Sequence, residues 1–137
     1  MVKEFDRNGR AAGGGFYVDP REKGAKKFLW PRLKELFEKP EATWDMQELK
    51  DRLLYRQSVE TARCLAEGVL TSVHDANIGS IFGIGFPGWT GGAMQFIYGT
   101  GIDAFLHRAE VLAAKFGPGF VVAPQVKDAI RRHQPQY

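Results

Sequence analysis

The sequence predicts an all-α domain behind an irregular N-terminal arm. Three observations carry this. No segment alternates apolar and polar residues with period two, as a half-buried strand would. From Asp45 onward, apolar residues recur at spacings of three and four. Before that point glycine and proline interrupt every regular pattern, as at Gly13–Gly15 and Pro20. The expected organisation is an arm and linker over 1–44 and a helical domain over 45–137.

The arm should hold one short helix, Pro31 to Glu38. Proline suits its first position, Leu33, Leu36 and Phe37 would form its apolar face, and Pro40 closes it. The run DMQELKDRLLYRQSVETARCLAEG then has no glycine or proline until Gly68. Leu54, Ser58, Thr61 or Ala62, Leu65 and Val69 make one row. Tyr55 and Val59 make a second, and Met46, Leu49 and Leu53 a third. Apolar residues on several faces suit a helix sandwiched between other elements, and Gly68 suits its C-terminal cap.

Ser72 and Asp75 form a capping-box-like start, so a short helix should run to about Ser80. A glycine-rich stretch follows, and Gly92 to Tyr98 reads as another helix with Met94, Phe96 and Ile97 inward. Thr100 and Asp103 read as a further cap. Ile102, Phe105, Leu106, Ala109, Leu112, Ala113 and Phe116 follow at helical spacing, and Gly117-Pro118 ends that helix. A last helix should begin near Pro124, with Val126, Ala129 and Ile130 inward and Arg131 and Arg132 in its final turn, where cations suit the helix dipole.

Composition excludes several classes. The chain has 137 residues, 44% of them hydrophobic, which suits one domain-sized core. The formal net charge is +3 and the basic residues are dispersed (Arg21, Lys23, Lys26 and Lys27, then Arg52, Arg56 and Arg63, then Arg131 and Arg132), so no nucleic-acid tail is indicated. No apolar run approaches the ~18 residues a membrane span requires. One cysteine, Cys64, permits no internal disulfide and fits a reducing, cytoplasmic compartment.

The stretch IFGIGFPGWTGG, Ile81 to Gly92, contains Gly83, Gly85 and Gly88 in the order G-x-G-x-x-G. Asp103 lies twenty residues after Gly83, where a dinucleotide fold would place an acidic ribose ligand. The context is wrong for that role. Residues 72–80 are helical in pattern, whereas the fingerprint follows a strand. Pro87 removes a backbone N–H that an anion would use. We therefore expect an interhelical corner at Gly83, Gly85, Phe86, Pro87 and Trp89, one that lines a pocket or an interface, with Asp103 supporting a cap. Gly91 and Gly92 would let the next helix start close to a neighbour.

Other chemistry is sparse. His74, His107 and His133 have no metal-ligand spacing to one another or to Cys64. His74 and His107 are expected at the surface, and Cys64 as a buried small hydrophobe. Glu60 and Glu67 should answer Arg56 and Arg63, each four residues earlier. No catalytic set, cofactor site or metal site is expected in this chain.

The stretch Glu48 to Ile97, ELKDRLLYRQSVETARCLAEGVLTSVHDANIGSIFGIGFPGWTGGAMQFI, resembles the C-terminal helical domain of 3-hydroxyacyl-CoA dehydrogenases, in the long form fused to an enoyl-CoA hydratase in multifunctional β-oxidation enzymes. Those chains carry the helical domain in tandem, and the resemblance is to the second copy. GRAAGGGFYVDP (Gly9 to Pro20) resembles the end of the first copy, and LWPRLKELF (Leu29 to Phe37) the linker after it.

The resemblance implies a fold like the C-terminal domain of 6-phosphogluconate dehydrogenases. It also implies a setting, the oxidation of 3-hydroxyacyl-CoA with NAD. The family's Rossmann domain and catalytic His–Glu pair lie upstream and have no counterpart here. The first copy's long helix carries an Asn near the substrate, and Asp51 stands at the corresponding position, where it reads as a solvated pair with Arg52. The implied role is thus a fragment, or a separate polypeptide, that packs on upstream dehydrogenase and hydratase domains or forms a homo-oligomer, with acyl-CoA and NAD held by the parent enzyme. The alternative is an autonomous acyl-CoA-binding or regulatory module at Phe86–Trp89, with Arg52 or Arg56 meeting the CoA phosphates.

Overall fold

The computed structural model describes residues 1–20 and 24–135; Arg21 and Lys23 of the dispersed basic set lie outside the described residues. The chain divides into two compact units, Met1–Thr43 and Trp44–Tyr137. Most described residues are helical.

The first unit contains helix α1 (Val2–Phe5), a 3-10 turn at Arg10–Ala12, strands β1 (Tyr17–Val18) and β2 (Phe28–Leu29), and helix α2 (Arg32–Phe37). The two strands pair antiparallel, Tyr17 opposite Leu29 and Val18 opposite Phe28, and period-two reasoning missed this ladder because each strand is only two residues long. Phe5 meets Trp30 and Phe37 edge-on, at centroid distances of 5.5 and 6.2 Å. The guanidinium of Arg7 lies 4.6 Å from the Trp30 ring and donates to the carbonyls of Gly15 and Tyr17. Helix α2 forms where the sequence predicts it, with Pro31 just before it, but Leu36 and Phe37 stay exposed.

The second unit is built around α3 (Met46–Ala66). Asp45 caps its start by accepting from the backbone N–H groups of Gln47 and Glu48, and Gly68 takes a left-handed conformation just beyond its end. Helices α4 (Val73–Ile84), α5 (Ala93–Thr100) and α7 (Pro124–Arg132) pack against α3, and α6 (Ile102–Phe116) packs against α5. Val59, Ala62, Met94, Ile97, Phe105, Leu112 and Ile130 are sealed in the core. Tyr55 stacks on Phe105 at 4.6 Å, and Phe96 approaches both rings edge-on.

Several helix ends differ from the sequence expectation. Ser72 caps α4 through the N–H of Asp75, as predicted, but the helix continues to Ile84 and absorbs Gly79 and Gly83. Glycine costs a helix only about 1 kcal/mol, so these two glycines do not stop it; Ala76 and Ser80 face inward while Ile78, Phe82 and Ile84 stay exposed, and Gly85 ends the helix in a left-handed conformation. Thr100 does not cap α6: it belongs to α5, its hydroxyl donates to the Phe96 carbonyl, and Gly101 occupies the cap position. Asp103 meets Arg131 at 3.4 Å at the surface instead of supporting a cap. Arg63 pairs with Glu60 at 2.6 Å, three residues away, and neither Arg56 nor Glu67 joins an ion pair among the described residues. Val69, expected in the first core row, is exposed, because the chain has left the helix by then.

Candidate functional site

The glycine-rich stretch is a corner between α4 and α5. Gly83 lies inside α4, so what precedes the G-x-G-x-x-G is a helix, and a second strand after it is absent among the described residues. Gly85 ends α4 at φ 71°, a left-handed value that glycine adopts without penalty. The chain then passes Phe86 and Pro87 into a 3-10 turn at Gly88–Thr90. Phe86 is 2% exposed, and its ring meets Phe96 at 6.0 Å; burying a side chain of this size contributes roughly 2–3 kcal/mol. It is the peg that fixes the corner to the aromatic cluster.

Helix α5 starts without a local cap. Its N-terminal position is Gly92, which has no side chain, so the orphan N–H groups are met from α4. Asn77 Oδ1 accepts from the N–H groups of Met94 and Gln95, each at 3.0 Å, and Ser80 Oγ accepts from Ala93 at 3.0 Å. Gly92 sits at φ 112°, and a Cβ there would come within 2.5 Å of Asn77 Cα. The close approach expected of the double glycine is thus a tertiary cap, and Asn77 and Ser80 are the residues that sequence reading missed. The signal was available: a helix start with glycine at its cap position must find oxygen acceptors elsewhere.

Of the five corner residues, the structure aims Trp89 outward, 82% exposed, and buries Phe86. Trp89 stands at the mouth of a cleft of about 600 Å³, whose walls include Gln47, Lys50, Asp51, Tyr55, Phe96 and Thr100. Arg52 and Arg56, proposed from sequence as phosphate ligands beside this corner, line a groove with Phe116 and Phe120, and Arg56 also lines the groove between α3 and α4 that reaches Ser80 and Ile84 just before the corner. Neither lines the cleft at Trp89.

Asp51 is not a solvated pair with Arg52. It is 9% exposed, and its Oδ2 receives both the Nε and a terminal nitrogen of Arg108, each at 2.7 Å, while Gln47 Nε2 donates to Oδ1 at 2.8 Å. Arg52 instead lies over the Phe116 ring at 4.3 Å. Burial, and next the negative charge of Asp51, push the Tyr55 hydroxyl above the usual tyrosine pKa, so at neutral pH it is a neutral hydrogen-bonding group on the cleft wall. Cys64 is half-buried and lines a groove between α3 and α4, more open than the core position expected. His74 and His107 are exposed, as anticipated. Groups of three or more potential metal ligands are absent among the described residues. Among them, too, no helix is long and apolar enough to cross a membrane.

By its architecture the second unit is an all-α domain with a glycine-cornered helix pair docked on one long helix. No protein-family model matches the chain. It is similar to part of the fatty acid oxidation complex subunit alpha of Shewanella sp. strain ANA-3, with 32% identity over 129 residues, 89% of this chain. The same subunit from strains MR-7 and MR-4 is also 32% identical, over 90% of this chain. The chain spans about 18% of the length of each of these relatives.

Proposed function

We propose that the chain is the non-catalytic C-terminal helical part of an NAD-dependent 3-hydroxyacyl-CoA dehydrogenase of fatty-acid β-oxidation, corresponding to the second of two tandem helical copies. On this reading 45–137 is the helical domain, with the fold of the 6-phosphogluconate dehydrogenase C-terminal domain. Residues 1–44 are the arm and linker that precede it. The observation that carries the proposal is similarity to the α subunits along 89% of this chain but only 18% of the relative. A domain-sized share of a larger enzyme is what a helical accessory part would match.

The chemistry of the chain supports the packing role. Asp51, at the position of the first copy's substrate-facing Asn, is committed to Arg108 and Gln47 and offers no amide donor. Gly83 within a helix and Pro87 without an N–H do not fit a pyrophosphate. NAD and acyl-CoA would be held by upstream dehydrogenase and hydratase domains or by a partner subunit. The chain's own work would be to bury apolar helix faces against them.

The test is a graft. The chain replaces the matching segment of a Shewanella α subunit, and dehydrogenase turnover with NAD and a 3-hydroxyacyl-CoA is measured. Retained turnover and retained assembly support the reading; an intact, soluble graft whose dehydrogenase activity and assembly are both lost refutes it. A second reading, an acyl-CoA-binding module, is favoured by one feature, the exposed Trp89 at the mouth of a cleft beside Lys50. Calorimetric titration of acetoacetyl-CoA and of NADH into the chain separates the two. Silence from both fits the packing role, saturable heat from acetoacetyl-CoA alone fits the module, and heat from NADH contradicts both.

A further inference from the structure

The third apolar row of α3 is only partly covered within its own unit, where Leu49 is half-buried. Met46 is 62% exposed and Leu53 67%. With Leu49 they line one side of an open trough of about 570 Å³, and Phe116 and Phe120 line the other. Lys50, Arg52 and Arg56 complete its wall. None of these three cations has a carboxylate partner among the described residues, whereas Arg63, Arg108, Lys115, Lys127 and Arg131 each have one. An apolar floor walled by cations without a carboxylate partner, one of them (Arg52) lying over the Phe116 ring at 4.3 Å, is half of a complementary pair.

We propose that this trough docks an acidic amphipathic α-helix, with apolar residues on its inner face and Asp or Glu on its flanks. Spacing selects a helix. Met46, Leu49 and Leu53 stand at i, i+3 and i+7, the seam that a second helix meets with its own row of the same period. The trough opens to solvent at Met46 and Leu53, which suits a helix laid on it; an alkyl chain is better served by an enclosed tunnel. Charge selects acidic flanks, since a basic helix would bring like charges against Lys50, Arg52 and Arg56. The proposal does not rest on the dehydrogenase reading, because the trough belongs to this chain whatever its parent enzyme does, and the graft and the following experiment can fail independently.

The experiment uses the full chain and two labelled synthetic helical peptides. They share one leucine stripe and differ only in flanking residues, all Glu or all Lys. Fluorescence anisotropy should show the Glu peptide binding at least roughly tenfold more tightly at low salt, with the preference shrinking as salt screens it. The double variant Arg52→Glu/Arg56→Glu should invert the preference, and Leu53→Glu, at an exposed position, should weaken both peptides. Should either variant lose its helical circular dichroism, the charge preference and salt dependence of the unmodified chain still decide. Equal binding of the two peptides, or binding of neither, overturns the proposal. So does displacement of the Glu peptide by dodecyl phosphate at lower concentration than by unlabelled peptide, which would assign the trough to a lipid anion. A chain dimer in sedimentation that Leu53→Glu dissolves would make the occupant a second copy, and would overturn it too.

Discussion

Replacing Asn77 with alanine should uncouple α5 from α4. The side chain makes two acceptor contacts, to Met94 N–H and Gln95 N–H, both at 3.0 Å. Met94 is fully buried, so water does not readily replace the lost oxygen. A net hydrogen bond of this kind contributes roughly 0.5–1.5 kcal/mol, and loss of an N-cap costs about 0.5–2 kcal/mol. Together these give a loss of about 2 kcal/mol. With a urea dependence of roughly 2 kcal/mol per molar for a chain of this size, the midpoint should fall by about 1 M. The control is Asn77→Asp. It keeps the acceptor and adds negative charge at a helix N-terminus, which is worth about 0.3–1 kcal/mol in favour. Urea unfolding followed by circular dichroism at constant slope measures both variants. If Asp loses as much as Ala, the side chain acts by packing and not as a cap. If neither moves the midpoint by more than roughly 0.2 M, the tertiary cap is not a source of stability and the reasoning fails.

Glycines of the corner should respond in opposite directions. Gly83→Ala falls in open space inside α4 and should stabilise by up to about 1 kcal/mol, an outcome that a phosphate-cradling loop would not give. Gly92→Ala combines φ 112° with backbone contact at 2.5 Å and should cost at least about 2 kcal/mol in the same urea assay. Arg108→Leu leaves the Asp51 carboxylate buried with Gln47 alone and should cost about 2 kcal/mol, whereas Arg52→Leu, at the surface, should stay within about 0.5 kcal/mol. Tyr98, whose hydroxyl donates to the Ile130 carbonyl, has its pKa pushed up to about 12 by burial. Because the folded state favours the neutral phenol, its contribution is complete below about pH 10 and is lost as pH rises toward 12. Ultraviolet titration of phenolate absorbance should show this late step, and Tyr98→Phe should remove it.

Some helix positions in the second unit were legible because they carry a local signature, whereas α5 has no cap of its own. Asp45 and Ser72 are caps whose oxygens reach N–H groups two or three residues on, a distance set by the chain itself. The rows of α3 and α6 follow from the helical period, and burial of Tyr55, Val59, Phe105 and Leu112 obeys it. The helical character expected before the glycine stretch is present in α4, a context unlike the strand that precedes a dinucleotide fingerprint. Thr100 misled because a T-x-x-D pattern is necessary for that cap and not sufficient: its hydroxyl found the Phe96 carbonyl one turn back.

What sequence alone determined was therefore the periodic and the local: an all-α domain, the approximate places of its helices and many of its inward residues. Tertiary structure decided which distant groups meet. It took Asp51 from an apparent surface pair to a buried partner of Arg108, fifty-seven residues away. It set Asn77 over the start of α5, and it left Met46 and Leu53 open where three apolar rows had suggested a helix sandwiched between other elements. The physical reason is that local turns fix geometry over three or four residues, whereas an ion pair, a cap borrowed from another helix and an uncovered seam depend on how helices cross, which no spacing along one helix encodes.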